Sequence, residues 1–371
     1  MKSARGGGGG WLLAAAAAAV AALVLAGPAA AQSPAANYPP AVEADFVIRD
    51  FHFSSGESLP KLRMHYRTFG KPHADAHGVV RNAVLILHGT GGSGASLLVA
   101  EFAGELFGPG QPLDATRYFI VLPDGIGHGN SSKPSDGLHA RFPHYGYHDM
   151  VQADYLLLTA GLKVNHARLI MGTSMGGMHT WLWGEQYPKF MDALMPLASV
   201  PAQISGRNRV WRKTIIDAIR HDPDWSGGEY HNQPPSLRTA IAMLWLVGSN
   251  PVLRQQEAPT LAKADEVIDA YVEQNMKVDD ANDVMYQLAA SRDYDPGPGL
   301  EGIAAPLLAI NSADDLVNPP ELGILEREIR RVPHGRAVII PFSDQTHGHR
   351  SHTYAVLWKP YLQELLRAPE R

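Results

Sequence analysis

The 371-residue sequence contains no cysteine. This absence excludes a disulfide scaffold, a zinc site with thiolate ligands, an iron–sulfur cluster and a cysteine nucleophile. Charged residues make up only 19% of the chain, against 45% hydrophobic residues, and this mixture is typical of a globular protein. The formal net charge is −5. This charge balance favours neither a nucleic acid nor an anionic membrane surface as a partner.

Only one long hydrophobic run is present, and it lies near the start of the chain. Trp11–Ala26 is an apolar run of 16 residues that follows the basic residues Lys2 and Arg5 and precedes the small residues 29–31. The run is shorter than the ~20 residues that span a bilayer. We therefore predict a signal peptide over 1–31, cleaved after Ala31, and a periplasmic or secreted protein that keeps no stable membrane anchor. An uncleaved anchor is the alternative.

Short apolar segments alternate with stretches of helical periodicity over much of the chain. Ala83–Leu87 and Pro306–Ile310 are typical of strands buried on both faces, and Met175–Tyr187 is typical of a helix. This alternation predicts an α/β fold with a mostly parallel sheet flanked by helices. Residues 201–300 contain helical patterns without a convincing strand. We therefore predict a core in two parts, 32–200 and 301–371, with 201–300 inserted as a helical lid.

The strongest local motif is Gly172-Thr173-Ser174-Met175-Gly176, which follows a predicted strand and precedes a predicted helix. This is the context of a G-x-S-x-G nucleophile elbow, in which a sharp turn exposes the serine hydroxyl at the carboxyl edge of a sheet. The glycines allow the chain to pass close by. We therefore predict that Ser174 is a nucleophile. A glycine-rich turn without catalysis is the alternative.

A serine nucleophile needs a base and an acid that orients the base. The acid should follow the strand that ends near Ile310, where Asp315 is favoured by its distance from Pro319 and Asp314 is the alternative. The base should follow the last strand. His349 is favoured there because Gly348 precedes it.

Two other histidines lie close to this predicted base. They are His347 and His352, and either could serve as the base instead of His349. A metal site formed by the three histidines is a further alternative. Since this cluster has no evident carboxylate of its own, we expect neither a metal nor a cofactor.

An oxyanion hole needs backbone donors where negative charge develops. Met175, directly after the nucleophile, supplies one, and Thr90 in the loop His88–Gly92 is the expected second donor. We interpret His88 as a structural residue that holds this loop. The glycine-rich loop 124–131 lacks the spacing of a phosphate-binding motif and is interpreted as a wall of the cleft.

Several motifs together resemble the α/β-hydrolase superfamily, and more closely its branch that includes homoserine O-acetyltransferase. In chain order they are Asn82-Ala83-Val84-Leu85, Ser174-Met175-Gly176-Gly177-Met178, Asp222-Pro223 and Asp293-Tyr294-Asp295, with His148-Asp149-Met150-Val151 between the first two. The resemblance implies the α/β-hydrolase fold and a triad of Ser174, Asp315 and His349. Two regions differ from the acetyltransferase pattern. Gly129–Ser135 replaces a Gly-Ser-Thr-Gly-Pro-Ser stretch, and His148 replaces an arginine.

We therefore expect an exported serine hydrolase that cleaves an ester or related acyl bond, with a small-molecule acyl ester as its binding partner. An exported enzyme meets water rather than cytoplasmic acetyl-CoA, which favours hydrolysis over transfer. An O-acyltransferase and a non-catalytic binding module on the same fold are the alternatives. The apolar stretch Ala240–Val247 in the lid could line an acyl pocket, form the lid core or form a homodimer interface.

Overall fold

The computed structural model describes residues 37–367; the predicted signal peptide lies outside this range. The strands form one eight-stranded sheet in the order β1-β2-β4-β3-β5-β6-β7-β8. The first two strands form an antiparallel hairpin that pairs with β4, and the remaining pairs are parallel. The strands are β1 Val42–His52, β2 Ser58–Phe69, β3 Ala83–Leu87, β4 Phe119–Pro123, β5 Leu169–Thr173, β6 Leu194–Leu197, β7 Leu307–Ser312 and β8 Gly335–Ile340.

Helices cover the sheet and fill the connection between β6 and β7. The first three are α1 Ala103–Leu106, α2 Tyr147–Leu156 and α3 Met175–Gln186. Between β6 and β7 lie α4 Gly206–Arg220, α5 Ser236–Gly248, α6 Pro251–Glu257, α7 Leu261–Asn275 and α8 Ala281–Ala289. The last two are α9 Ile324–Glu328 and α10 Lys359–Leu365. This architecture confirms the predicted mostly parallel sheet flanked by helices.

The central strands carry apolar side chains on both faces because both faces are covered. Along β3, Leu85 packs into the hydrophobic cluster on one side of the sheet, and its neighbour Val84 packs into the cluster on the other. Successive side chains of a strand point to opposite faces, so a continuous apolar run supplies two cores at once. The carboxyl ends of β3, β5, β7 and β8 consequently meet at one edge of the sheet.

Side-chain caps define where three of the inserted helices begin. Asn250 accepts hydrogen bonds from the amides of Val252 and Leu253 at the start of α6, and Asp280 caps α8 in the same way. At α7 the capping side chain is Thr260. These polar residues satisfy amides that lack a partner within the helix, and they separate the helices of the insertion.

One predicted helix is shorter than the sequence pattern indicates. The apolar spacing of Pro320–Arg331 predicts a continuous helix, but the prediction is wrong at Gly323, whose φ of +61° ends a single 3-10 turn before α9 begins. Only five residues then form an α-helix. None of the helices within residues 37–367 combines the length and the apolar content needed to cross a bilayer.

Trp358 is a suitable site for a stability test because its side chain is fully buried against Phe102, and its indole nitrogen donates to the His352 carbonyl at 3.1 Å. We expect Trp358→Ala to lower the free energy of unfolding by about 3–5 kcal/mol through loss of buried area and creation of a cavity. Trp358→Phe should cost less. Denaturant unfolding measures both, with the exposed Val356→Ala as control. A loss below ~1 kcal/mol for Trp358→Ala would contradict this packing.

Candidate active site

Ser174 lies in a strained turn between β5 and α3. Its φ of +53° and ψ of −110° are rare for a residue with a side chain. The turn is possible because the neighbouring backbones approach one another closely. A Cβ on Gly172 would overlap the backbone of Gly176, and a Cβ on Gly176 would overlap the carbonyl of Leu87 in β3. The two glycines of the motif are therefore required by close packing, and the turn presents the Ser174 hydroxyl at the carboxyl edge of the sheet.

Three side chains from distant parts of the sequence form one chain of hydrogen bonds. The Nε2 atom of His349 lies 2.8 Å from the Ser174 hydroxyl oxygen, and its Nδ1 atom lies 2.9 Å from Oδ2 of Asp315. An ionised carboxylate only accepts, so Nδ1 carries the proton and Nε2 accepts from the serine. Asp315 is buried, and its Oδ1 also accepts from the amides of Val317 and Asn318. These contacts fix the orientation of the imidazole.

The alternatives to these residues have other partners. Asp314 accepts hydrogen bonds from the Gly348 amide at 2.9 Å and from the amide side chain of Asn250. His347 stacks on the ring of Tyr354 with centroids 3.6 Å apart. The ring of His352 meets that of His349 edge to face at 5.3 Å. The structure thus brings Asp315 and His349 to Ser174, and it places Asp314 and His347 in the surrounding loop contacts.

The histidine cluster is not arranged as a metal site. Across residues 37–367, no group of three histidine or acidic side chains is positioned to hold a metal ion.

The predicted oxyanion donors have free amide groups. The amide of Met175 at the start of α3 and the amide of Thr90 donate to no described residue. His88 holds the Thr90 loop in place, because its Nδ1 donates to the Gly89 carbonyl at 2.8 Å and its Nε2 accepts from the Gly125 amide at 3.0 Å. Burial lowers the pKa of His88. The neutral ring therefore serves as a structural link between two loops.

A cavity of about 610 Å³ opens beside Ser174 and His349. The glycine-rich loop after β3 forms one wall of the cavity, and helices inserted between β6 and β7 form another. Leu244 and Val247 of α5 line it, whereas Leu246 on the same helix is 58% exposed and Ala240 is buried in the lid core. The apolar stretch of α5 therefore contributes to the cavity, the lid core and the surface at once.

Sequence reasoning missed three polar residues in or beside this cavity. Arg212 and Asp283 line it, and Tyr147 lies next to Arg212. One signal could have revealed the arginine. Arg212 stands three and four positions before Ile215 and Ile216, so it shares the buried face of α4. A cation at a core position of an amphipathic helix is uncommon and indicates a specific role.

Asp283 makes the stability of the protein depend on pH. Burial raises the pKa of its carboxyl from 3.8 to about 7, although the carboxylate accepts from the amide and the hydroxyl of Ser135. The folded state therefore holds the proton more tightly than the unfolded state. The resulting stabilisation is complete below pH ~4 and is lost as the pH rises to ~7.

We expect Asp283→Asn to remove this pH-dependent loss. Between pH 4 and pH 8 the wild type should lose up to about 4 kcal/mol in free energy of unfolding that the variant keeps. The difference in stability between the two proteins should therefore shift in favour of the variant as the pH rises. Denaturant unfolding at several pH values measures the difference. Asp269→Asn, on the exposed face of α7, is the control and should show no such trend. Parallel pH curves for the wild type and Asp283→Asn would contradict the prediction.

Known proteins resemble the chain in sequence and in fold. Residues 82–341 match the alpha/beta hydrolase fold family. The chain is 31% identical over 284 residues to a probable acyltransferase of Methanothermobacter thermautotrophicus, covering 75% of this chain and 84% of the relative. It is 35% identical over 195 residues to homoserine O-acetyltransferase of Thermobifida fusca, covering 48% of this chain and 50% of the relative.

The crystal structure of esterase E22 superposes with a TM-score of 0.77 at 17% identity, covering 88% of this chain and 100% of that protein. At this identity the likeness shows the fold alone. The sequence match and the sheet topology both indicate the α/β-hydrolase fold. The chain therefore belongs to the α/β-hydrolase superfamily, in the branch that includes homoserine O-acetyltransferase.

Proposed function

We propose that the protein is a serine hydrolase that cleaves an ester or related acyl bond through an acyl-enzyme. The observation that carries this proposal is the continuous hydrogen-bond chain from the Ser174 hydroxyl through His349 to Asp315 at the edge of the cavity. A hydroxyl alone is a weak nucleophile, and an imidazole held in the correct tautomer by a carboxylate makes it reactive.

In the first step, Ser174 attacks the carbonyl carbon of the ester while Nε2 of His349 takes the hydroxyl proton. Asp315 stabilises the imidazolium that forms and remains ionised. The oxygen of the tetrahedral intermediate accepts hydrogen bonds from the free amides of Met175 and Thr90. Loss of one such donor typically costs about 2.7–4 kcal/mol of transition-state stabilisation. His349 then gives its proton to the departing alcohol.

In the second step, water attacks the acyl-enzyme. His349 takes a proton from the water as the carbon–oxygen bond forms, and it returns the proton to Ser174 as the acid is released. Neither step requires a metal or a cofactor from outside the chain. Because the imidazole must be neutral to accept each proton, activity falls as the solution is acidified.

The second candidate is an O-acyltransferase, which differs only in the group that removes the acyl chain from Ser174. The names of the sequence relatives favour this candidate, since one is a probable acyltransferase and another a homoserine O-acetyltransferase. Export of the protein favours hydrolysis. We propose a periplasmic or secreted location on the sequence of residues 1–31 alone, with cleavage after Ala31.

The two candidates are separated by the products of an activated ester. Incubation of the purified protein with 4-nitrophenyl acetate should release acetate at the rate of nitrophenol, whether or not homoserine is present. Acylated homoserine in excess of free acetate would reject hydrolysis in favour of transfer. Failure of a fluorophosphonate probe to label the protein would reject both, and would favour a binding module. Ser174→Ala should abolish labelling, whereas Ser96→Ala, another cavity serine, should retain it.

Asp314 and Asp315 are adjacent in sequence, so the same substitution at each of them tests which one orients His349. We expect Asp315→Asn to lower kcat about 10⁴-fold, because the amide no longer stabilises the imidazolium or selects the tautomer. Asp314→Asn keeps an oxygen that can accept from the Gly348 amide, so its kcat should fall much less. Steady-state hydrolysis of 4-nitrophenyl acetate measures both. Equal losses in the two variants would contradict the assignment of Asp315.

A further inference from the structure

His352 is a second imidazole in the cavity, next to the proposed base. It belongs to the 3-10 turn Gly348–Thr353 and comes three residues after His349. Side chains three residues apart in such a turn lie nearly above one another. The two rings accordingly meet edge to face with their centroids 5.3 Å apart, and both line the same cavity as Ser174. His352 is therefore close to the proposed reacting atoms.

Two contacts hold His352 in this position. Its backbone carbonyl accepts a hydrogen bond from the indole nitrogen of the buried Trp358 at 3.1 Å. Its ring nitrogen Nδ1 lies 3.2 Å from the hydroxyl oxygen of Thr353, which is a hydrogen-bond distance. When Nδ1 carries the proton and donates it to this hydroxyl, Nε2 keeps a lone pair. The ring can then accept one hydrogen bond from a molecule in the cavity.

The Nε2 atom of His352 has no partner in the part of the chain that the structure describes. It forms no hydrogen bond with any of residues 37–367, and the residue is only partly buried. Both ring nitrogens of His349, in contrast, are engaged, one at Ser174 and the other at Asp315. Of these two adjacent imidazoles, His352 is the one that has an atom free to bind a molecule in the cavity.

His352 is uncharged under the conditions in which the triad can work. Burial lowers the pKa of His352 well below 6.5, and the positive charges of His349 and Arg350 lower it further. His349 becomes an imidazolium in each proposed step, so a second positive charge beside it would oppose that step. A neutral ring avoids this repulsion. It binds a neutral hydrogen-bond donor in preference to an anion.

The second proposed step brings a donor of this kind to the same place. Water must attack the acyl carbon while it gives one proton to Nε2 of His349. Water carries a second proton, which needs an acceptor once the molecule has left bulk solvent. An alcohol has a single hydroxyl proton, and His349 takes it. An acceptor beside His349 is therefore satisfied by water and left unpaired by an alcohol.

We propose that His352 binds the water that attacks the acyl-enzyme, and that it thereby selects water over an alcohol as the acyl acceptor. This role depends on the proposed hydrolase function. One proton of the bound water points to Nε2 of His349 and the other to Nε2 of His352. The water oxygen bonds to the acyl carbon as His349 takes the first proton. The bond from that carbon to the Ser174 oxygen then breaks, Ser174 regains the proton from His349, and the second proton leaves on the acid.

Competition between water and methanol tests the selection. With 4-nitrophenyl acetate as the donor, the acyl-enzyme partitions between acetate and methyl acetate, and the product ratio does not depend on how fast the acyl-enzyme forms. His352→Phe keeps a ring against His349 but removes the acceptor. We expect it to raise the ratio of methyl acetate to acetate by about 10- to 100-fold, because one unpaired buried polar group costs about this factor.

Two further variants are the matched controls. In His352→Gln the amide oxygen can lie near the position of Nε2, so this variant should keep a product ratio close to that of the wild type. His347 stacks on Tyr354 in the same loop, outside the cavity lining. His347→Phe makes the same chemical change away from the reacting atoms and should leave the ratio unchanged. Thermal unfolding checks that each variant is folded.

The two steps of the reaction separate this role from a general loss of structure. For an acyl-enzyme, kcat/KM reports its formation, and slower release of the acid lowers kcat and KM together. We expect His352→Phe to lower kcat by about 10- to 100-fold with kcat/KM close to that of the wild type. Rapid mixing should then show a stoichiometric burst of nitrophenol before the slow release of acetate.

The outcomes distinguish the role of His352 from the proposed function. An unchanged product ratio in His352→Phe, while the wild type still forms acetate, would overturn the role of His352 and retain the hydrolase. Equal losses of kcat and kcat/KM in His352→Phe would overturn that role as well. A wild type that forms methyl acetate but no acetate would overturn both the hydrolase and the selection of water.

Discussion

The close approach of α3 to the strands behind it is the constraint on which the candidate site depends. Gly172 and Gly176 meet backbone to backbone, and Gly176 also meets the carbonyl of Leu87. Ser174 must then turn through a conformation that costs about 1–3 kcal/mol. Its amide donates to the Leu197 carbonyl at 2.9 Å, and its carbonyl accepts from the amide of Met178. The surrounding backbone thus holds the strained turn.

Parallel strand order explains how distant residues come together. Ser174, Asp315 and His349 follow β5, β7 and β8, and Thr90 follows β3, so all four lie where the carboxyl ends of the strands meet. Ser174 and His349 are 175 positions apart in sequence. No local interaction could join them. The sheet fixes the spacing of the strand ends, and each loop only has to orient the side chain that it carries.

Much of the fold and part of the site could be predicted because their signals are local. The run Ala83–Leu87 coincides with β3, since a strand buried on both faces leaves a continuous apolar signature. The motif around Ser174 is local as well. The choice between Asp314 and Asp315 has no such local signal. Both residues follow the same strand, and only the path of the turn decides which one faces His349. Gly323 ended a predicted helix through a backbone angle that periodicity does not encode.

Arg212 and Tyr147 escaped prediction because they lie in elements far apart in sequence and form no motif together.

Asp314, which the sequence offered as the alternative to Asp315, connects two parts of the structure beside the site. It binds the Asn250 side chain at the start of α6 and the Gly348 amide immediately before His349. One carboxylate therefore joins the inserted helices to the loop that carries the imidazole. We expect a change in the inserted helices at this corner to move the loop of His349 as well, so that the proposed choice of substrate and the proposed proton transfer depend on the same carboxylate.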